Sequence, residues 1–183
     1  MKRAVLIVVL LIAVVPAFGQ ALLVPNGLVR NALDGLDGTF ILTDCKSGLL
    51  SDSNPNASSK KLAPCSTFKI WNTLIGLELG IISAPEEAFY KWDGKKRFIS
   101  AWNNDLTLKD AFQVSCVPAF QALARKIGET QMHAFLTKIN YGDADISAGI
   151  DVFWLPENGR KTILISPREQ AAAICALVSG QLP

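Results

Sequence analysis

Pro64-Cys65-Ser66-Thr67-Phe68-Lys69-Ile70-Trp71-Asn72-Thr73-Leu74-Ile75-Gly76-Leu77-Glu78-Leu79-Gly80 is the most telling run in this chain. From Ser66 to Leu79 it is apolar almost all round, with Lys69, Asn72 and Glu78 as its strong polar groups, and Gly80 offers a C-terminal stop. A helix without a polar face belongs inside a protein. At its start, Ser66 and Lys69 stand three residues apart, so their side chains project from one face and can touch. A serine hydroxyl is a poor nucleophile until a neighbouring base takes its proton, and a helix N-terminus stabilises developing negative charge. Lysine serves as that base only when desolvation lowers its pKa, and Phe68, Ile70, Trp71 and Leu74 supply apolar surroundings. Ser58-Ser59-Lys60-Lys61 fits the same S-x-x-K spacing, but in a polar loop that would leave Lys61 unperturbed. Taken alone, Ser66 and Lys69 also fit a helix cap and a snorkelling surface lysine.

Outward from this helix, Thr39-Phe40-Ile41-Leu42-Thr43 is β-prone, Asp44 to Gly48 is turn material and a second run starts at Leu49, which predicts a hairpin. Ser51 to Ser59 reads as a surface loop. Helices are predicted over Leu106 to Val114, Pro118 to Ile127 closed by Gly128, and Glu129 to Lys138. Ser166-Pro167-Arg168-Glu169 announces one more, with a cap, a proline at the first helical position and a capping-box glutamate in order. Helices fill the middle and strands the front, which favours an α+β arrangement over repeating βαβ units. The chain has no internal repeat, no G-x-G-x-x-G and no G-x-S-x-G.

The 183 residues, 50% of them hydrophobic, fit one globular domain. Met1-Lys2-Arg3, the apolar run Ala4 to Val15, Pro16 and Ala17-Phe18-Gly19 read as a secretory signal peptide over residues 1–19, cleaved near Gln20, leaving residues 20–183 as the mature domain. The alternative, an uncleaved anchor, needs about 18 apolar residues, and this run stops at Pro16. The net charge of +2 comes from 18 Lys+Arg against 16 Asp+Glu; loss of Lys2 and Arg3 leaves 16 against 16. No basic surplus then remains for nucleic acid. The expected product is exported, periplasmic or secreted, with no membrane span after cleavage. Its four cysteines, Cys45, Cys65, Cys116 and Cys175, would meet an oxidising compartment, where up to two disulfides in three connectivities are open. No CxxC occurs and His133 is the only histidine, too few ligands for zinc, so His133 reads as a plain helix residue and no metal is expected.

P-C-S-T-F-K-I at Pro64 to Ile70, S-C-V at Ser115 to Val117, Y-G-D at Tyr141 to Asp143 and F-W-L at Phe153 to Leu155 together resemble the class D serine β-lactamases. Leu74 to Glu78, Lys91-Trp92-Asp93-Gly94, Ala101-Trp102-Asn103 and Asp145-Ile146-Ser147 look like this family in the same order, so the resemblance covers about Gly38 to Pro183. It implies a serine β-lactamase/penicillin-binding transpeptidase-like fold, an antiparallel sheet with a helical subdomain. It also implies hydrolysis of β-lactam antibiotics, a small-molecule substrate class, and a role in antibiotic resistance. By resemblance Ser66 is the acylated nucleophile and Lys69 the general base, carried as a carbamate formed with carbon dioxide and with no other cofactor. Phe68 and Val117 would keep water from Lys69, and Trp154 would donate its indole N–H to the carbamate. Ser115 matches a hydroxyl that passes protons to the leaving nitrogen, although Ser115-Cys116-Val117 alone also reads as a loop before the next helix. Trp102 and Leu155 match positions that shape the antibiotic cleft, and either also fits a core. Tyr141, a further substrate-site position, lies in a Y-G-D that departs from the family's more usual Y-G-N and also fits a plain turn. Cys65 and Cys116 each adjoin a serine expected in one site, which suggests a Cys65–Cys116 disulfide.

The family's later K-[ST]-G strand, which anchors substrate and completes the oxyanion hole, has no counterpart in place. Lys46-Ser47-Gly48 precedes Ser66, and Lys161-Thr162 is followed by Ile163. The expectation is therefore a domain lacking the C-terminal strands, of reduced stability and poor in hydrolysis. The competing readings are a β-lactam sensor domain that stays acylated, a non-catalytic remnant, and a cell-wall transpeptidase, to which the F-W-L element fits less well than to a carbamate-type site. Antibiotic spectrum and oligomeric state stay open.

Overall fold

The computed structural model describes residues 26–157 and 159–183, so the expected signal peptide lies outside the described residues. Seven α-helices and four strands follow in chain order: α1 (Asn26–Leu33), β1 (Ile41–Thr43), β2 (Leu50–Asp52), α2 (Pro55–Ser58), α3 (Lys69–Glu78), β3 (Ala88–Tyr90), β4 (Leu106–Thr107), α4 (Leu108–Gln113), α5 (Val117–Ile127), α6 (Glu129–Lys138) and α7 (Pro167–Val178). Short 3₁₀ turns occupy Cys65–Phe68 and Ser100–Trp102. The α+β composition is as expected, and the described residues divide into two compact units, one of residues 26–61 with Ser166–Pro183, the other Leu62–Ile165.

In the first unit, β1 and β2 form the predicted antiparallel hairpin, with Ile41 opposite Asp52 and Thr43 opposite Leu50. Asp52 is its polar hub. Its carboxylate accepts from the Thr39 hydroxyl (3.2 Å), the Asn54 N–H (3.0 Å), the Ser58 hydroxyl and the Arg168 guanidinium (2.6 Å). These donors hold its pKa below the usual range against the opposing cost of burial. The segment predicted as loop contains the end of β2 and the single turn α2, which Asn54 caps by accepting from the Ala57 N–H. The Ser166 signal is fulfilled as a complete capping box with Pro167 in the first turn.

This unit also holds the disulfide, and it is Cys45–Cys175, with Cα atoms 5.0 Å apart. Cys65 and Cys116 are free thiols, the first partly exposed and the second buried, which corrects the Cys65–Cys116 expectation. Adjacency of each cysteine to a serine of one site says nothing about where the sulfurs point. The contact of α7 with β1, across 130 residues of chain, instead brings Cys45 to Cys175.

In the second unit, α3 packs on α5. Gly76 permits their close approach, because a Cβ there would lie 3.0 Å from the Leu123 side chain. Gly128 (φ +78°) separates α5 from α6, as the sequence signals. The core comprises Trp71, Ile75, Phe120, Leu123, Met132, Leu136, Phe153 and Ile163, all essentially without exposure. The helix predicted from Leu106 begins at Leu108, since Leu106 and Thr107 pair with β3 and the Thr107 hydroxyl then caps α4.

Candidate active site

The predicted buried helix begins one turn late. Cys65–Phe68 is a 3₁₀ turn that passes into α3 at Lys69. In a 3₁₀ turn residues i and i+3 eclipse each other, so the change of helix type stacks Lys69 on Ser66 more directly than an α-helix would. The Lys69 Nζ donates to the Ser66 Oγ at 2.9 Å, and the Ser115 Oγ donates to the same oxygen at 3.2 Å. Ser115 comes from the end of α4, and α5 starts two residues later. Cys65 and Ser115 both adopt left-handed backbone (φ +51° each), unusual for residues with a Cβ. Such strain costs on the order of 1–3 kcal/mol per residue and concentrates where a site needs a side chain aimed against local preference.

Lys69 is only 2% exposed, and no carboxylate pairs with it among the described residues. Burial pulls its pKa down to about 8; Cys116 and Cys65 oppose the shift. Its Nζ lies 5.7 Å from the centroid of the Phe120 ring. Burial pushes both neighbouring thiols up, so neither is a ready thiolate.

Beneath the pair lies an aromatic cluster. Phe68 stacks on Trp154 (5.4 Å between centroids, 23° between planes) and meets Phe153 edge-on at 4.9 Å. Trp154 is fully buried and its Nε1–H has no hydrogen-bond partner among the described residues. An unsatisfied buried donor costs about 1–3 kcal/mol, so this atom marks a place for an acceptor.

Ser66, Lys69 and Ser115 are thus brought into one hydrogen-bonded group, and Phe68 and Trp154 into one stack. Val117, partly exposed, opens α5 beside the buried Cys116. Trp102 is partly exposed and its indole N–H donates to the Val114 carbonyl at 2.9 Å, which fastens it next to Ser115. Leu155 is also partly exposed. Tyr141 is fully enclosed against Phe68 (5.7 Å) and Trp71 (5.3 Å), so its ring faces the core and not a surface open to a ligand. The chain turns inward there because Asn140 and Gly142 both have positive φ. Sequence reading overlooked Phe120, whose periodic place on the apolar face of α5 was the available signal, and the role of Asn72, which donates to the Phe120 carbonyl at 3.1 Å and ties α5 to α3. Lys46-Ser47-Gly48 lies in the β1–β2 turn and Lys161-Thr162 in the segment before Ile165, so neither K-S/T pair sits on a strand. No group of three or more His, Cys, Asp and Glu is arranged for a metal among the described residues.

The sequence matches the penicillin binding protein transpeptidase domain over residues 38–182. Beta-lactamase OXA-19 of Pseudomonas aeruginosa is 45% identical over 127 residues, 69% of this chain and 47% of the relative. Probable beta-lactamase YbxI of Bacillus subtilis is 41% identical over 147 residues, 80% of this chain and 53% of the relative. Among solved structures, the class D beta-lactamase FUS-1 (OXA-85) of Fusobacterium nucleatum superposes with a TM-score of 0.79 at 39% identity, covering 86% of this chain and 63% of its own. The chain spans about half the length of the curated relatives it matches. With a penicillin-binding fold, a Ser66–Lys69–Ser115 group at its heart and β-lactamase homologues at this level of identity, the chain belongs to the penicillin-binding transpeptidase-domain family, and its homologues there are class D β-lactamases.

Proposed function

We propose that this chain carries the acylation centre of a β-lactam-hydrolysing serine enzyme of the class D type. The observation that supports it best is the Lys69 Nζ held 2.9 Å from the Ser66 Oγ in a site where burial brings the amine to about 8. Near neutrality a useful fraction of Lys69 is then neutral and able to accept the Ser66 proton. Ser66 attacks the β-lactam carbonyl carbon, the carbonyl–nitrogen bond breaks, and the ring nitrogen takes a proton by way of Ser115, which already touches the Ser66 oxygen. Water then hydrolyses the acyl ester, releasing the opened ring as an acid and restoring Ser66. Partly exposed Trp102 and Leu155 are proposed to contact the antibiotic side chain, with Val117 and Phe68 excluding water from Lys69.

The orphaned Trp154 N–H and the depressed Lys69 fit carboxylation of the amine, because only a neutral amine adds carbon dioxide and only an acceptor satisfies that donor. The resulting carbamate supplies an anionic oxygen base where an ammonium could supply none. Phe68, stacked on Trp154, fixes the indole plane, and the enclosed Tyr141 buttresses Phe68 from behind. Export, a cleaved leader and a role in antibiotic resistance belong to the same proposal. Among the described residues no helix is long and apolar enough to cross a membrane.

Intact-mass spectrometry of the purified chain with excess benzylpenicillin, followed over time, tests this reading. A gain of one penicillin mass on a Ser66 peptide is expected, absent in S66A. Decay of the adduct marks hydrolysis, and persistence marks a centre that acylates without releasing. No adduct on folded chain overturns the proposal.

A further inference from the structure

A cavity of about 490 Å³ lies within the Leu62–Ile165 unit between the end of β3 with its following loop and the outer face of α5. The helix contributes Pro118, Gln121, Ala122, Arg125 and Lys126, a stripe at helical spacing on the side away from Phe120, Leu123 and Ala124 in the core. None of Ser66, Lys69, Ser115 or Trp154 lines it. The α5 stripe and the loop together present five cations, Lys91, Lys95, Arg97, Arg125 and Lys126.

Two of the five are neutralised. Asp93 holds Arg97 through two parallel hydrogen bonds of 2.8 Å, and Asp151 holds Arg125 at 2.5 Å. Lys91, Lys95 and Lys126 make no ion pair among the described residues, with Asp93 in electrostatic range of Lys95 and Glu87 of Lys126, so the lining stays net positive. The wall carries a further donor that the protein does not use. Tyr90 is 6% exposed, lines this cavity, and its buried hydroxyl has no hydrogen-bond partner among the described residues. A buried hydroxyl left unpaired is costly enough to need an explanation, and this one lies close enough to Asp93, Arg97 and Arg125 of the same wall to interact with their charges.

We propose that this cavity is a binding site for a small, multiply charged phosphate of the di- or triphosphate class. The volume exceeds what a single phosphate fills. Di- and triphosphates carry about three to four negative charges near neutrality, matching the unpaired lysines, and their tetrahedral oxygens accept from lysine and phenol donors alike. Arg97 and Arg125, each bound to an aspartate, fasten the loop and α5 in place.

Titration calorimetry of the full chain with sodium tripolyphosphate, with ATP as a second arm, tests the assignment. Saturable one-to-one binding is expected, weakened about tenfold by Y90F, which removes only the hydroxyl, and at least as much by the double variant K91A/K95A. K46A and K138A, which alter lysines outside the cavity, should leave it unchanged. Raising the salt from about 0.05 to 0.2 M should weaken it severalfold. Comparable affinity for ATP would point to a nucleotide, and preference for tripolyphosphate to the free anion. Should Y90F fail to fold, the exposed K95E carries the test. Binding that is not saturable, or that survives both the loop substitutions and the loss of the hydroxyl, overturns the proposal.

Discussion

Replacing Lys69 with methionine separates what this lysine does for chemistry from what it costs the fold. Its pKa of about 8 lies some 2.5 below that of an ordinary lysine, and burial is the cause. At about 1.36 kcal/mol per pK unit, holding the protonated amine in this site costs roughly 3 kcal/mol relative to water. The unfolded chain retains its lysine proton up to about pH 10.5 and the folded chain only to about 8, so between these values the unfolded state binds more protons and native stability rises with pH. Below pH 8 the full penalty applies. K69M removes the penalty at every pH and also removes the 2.9 Å hydrogen bond to Ser66, worth about 1 kcal/mol. The variant should therefore be more stable than the parent by about 2 kcal/mol at pH 7, with the gap closing as pH rises and reversing to about −0.6 kcal/mol at pH 10.5. Urea unfolding followed by tryptophan fluorescence, in carbon-dioxide-free buffers from pH 7 to 10.5, measures the difference directly. Cys65 and Cys116 titrate in this window and interact with Lys69, so both proteins carry C65S/C116S, and the other titrating groups, common to both, cancel. A variant less stable than the parent at pH 7, or a gap that stays constant across the range, would refute the argument that Lys69 is held partly neutral by burial.

Gly142 (φ +58°) has no room for a side chain, because a Cβ would fall 2.3 Å from the Leu164 carbonyl oxygen. G142A should lose roughly 2–5 kcal/mol in the same urea assay, and a loss under 1 kcal/mol would show that the Leu164 backbone yields easily. Thiol titration of the unfolded, unreduced chain should count two thiols, from Cys65 and Cys116, with four contradicting the Cys45–Cys175 bridge. Opening that bridge with C45S/C175S should cost about 2–4 kcal/mol. With ¹³C-bicarbonate the parent should give a carbamate carbonyl resonance that is lost in K69A and weakened in W154F, and an unchanged signal in W154F would remove the indole from the account.

The hairpin, the helix stops at Gly80 and Gly128 and the capping box at Ser166 were all legible because each is local: a turn, a positive φ or a side chain reaching its own backbone. Leu106 and Thr107 were misread as helix because their strand character comes from β3, some twenty residues away, and not from their own propensity. The site was legible as residue types. Spacing put Ser66 and Lys69 on one face, and the family resemblance added Ser115, Phe68 and Trp154. The inward turn of Tyr141 was not visible, since it depends on what Phe68 and Trp71 leave open in the core.

By itself the sequence determined the order of elements, the buried helix behind Ser66 and the family, all of which reside in patterns of neighbouring residues. Only the tertiary structure decided which cysteines bridge, that Ser115 reaches the Ser66 oxygen across 49 residues, that the Trp154 N–H is left without an acceptor, and that Tyr90 and five scattered cations line one cavity. Those outcomes depend on distances and directions between distant segments. Burial then acts on the groups so assembled, moving a pKa or stranding a donor through desolvation, which composition and spacing do not encode.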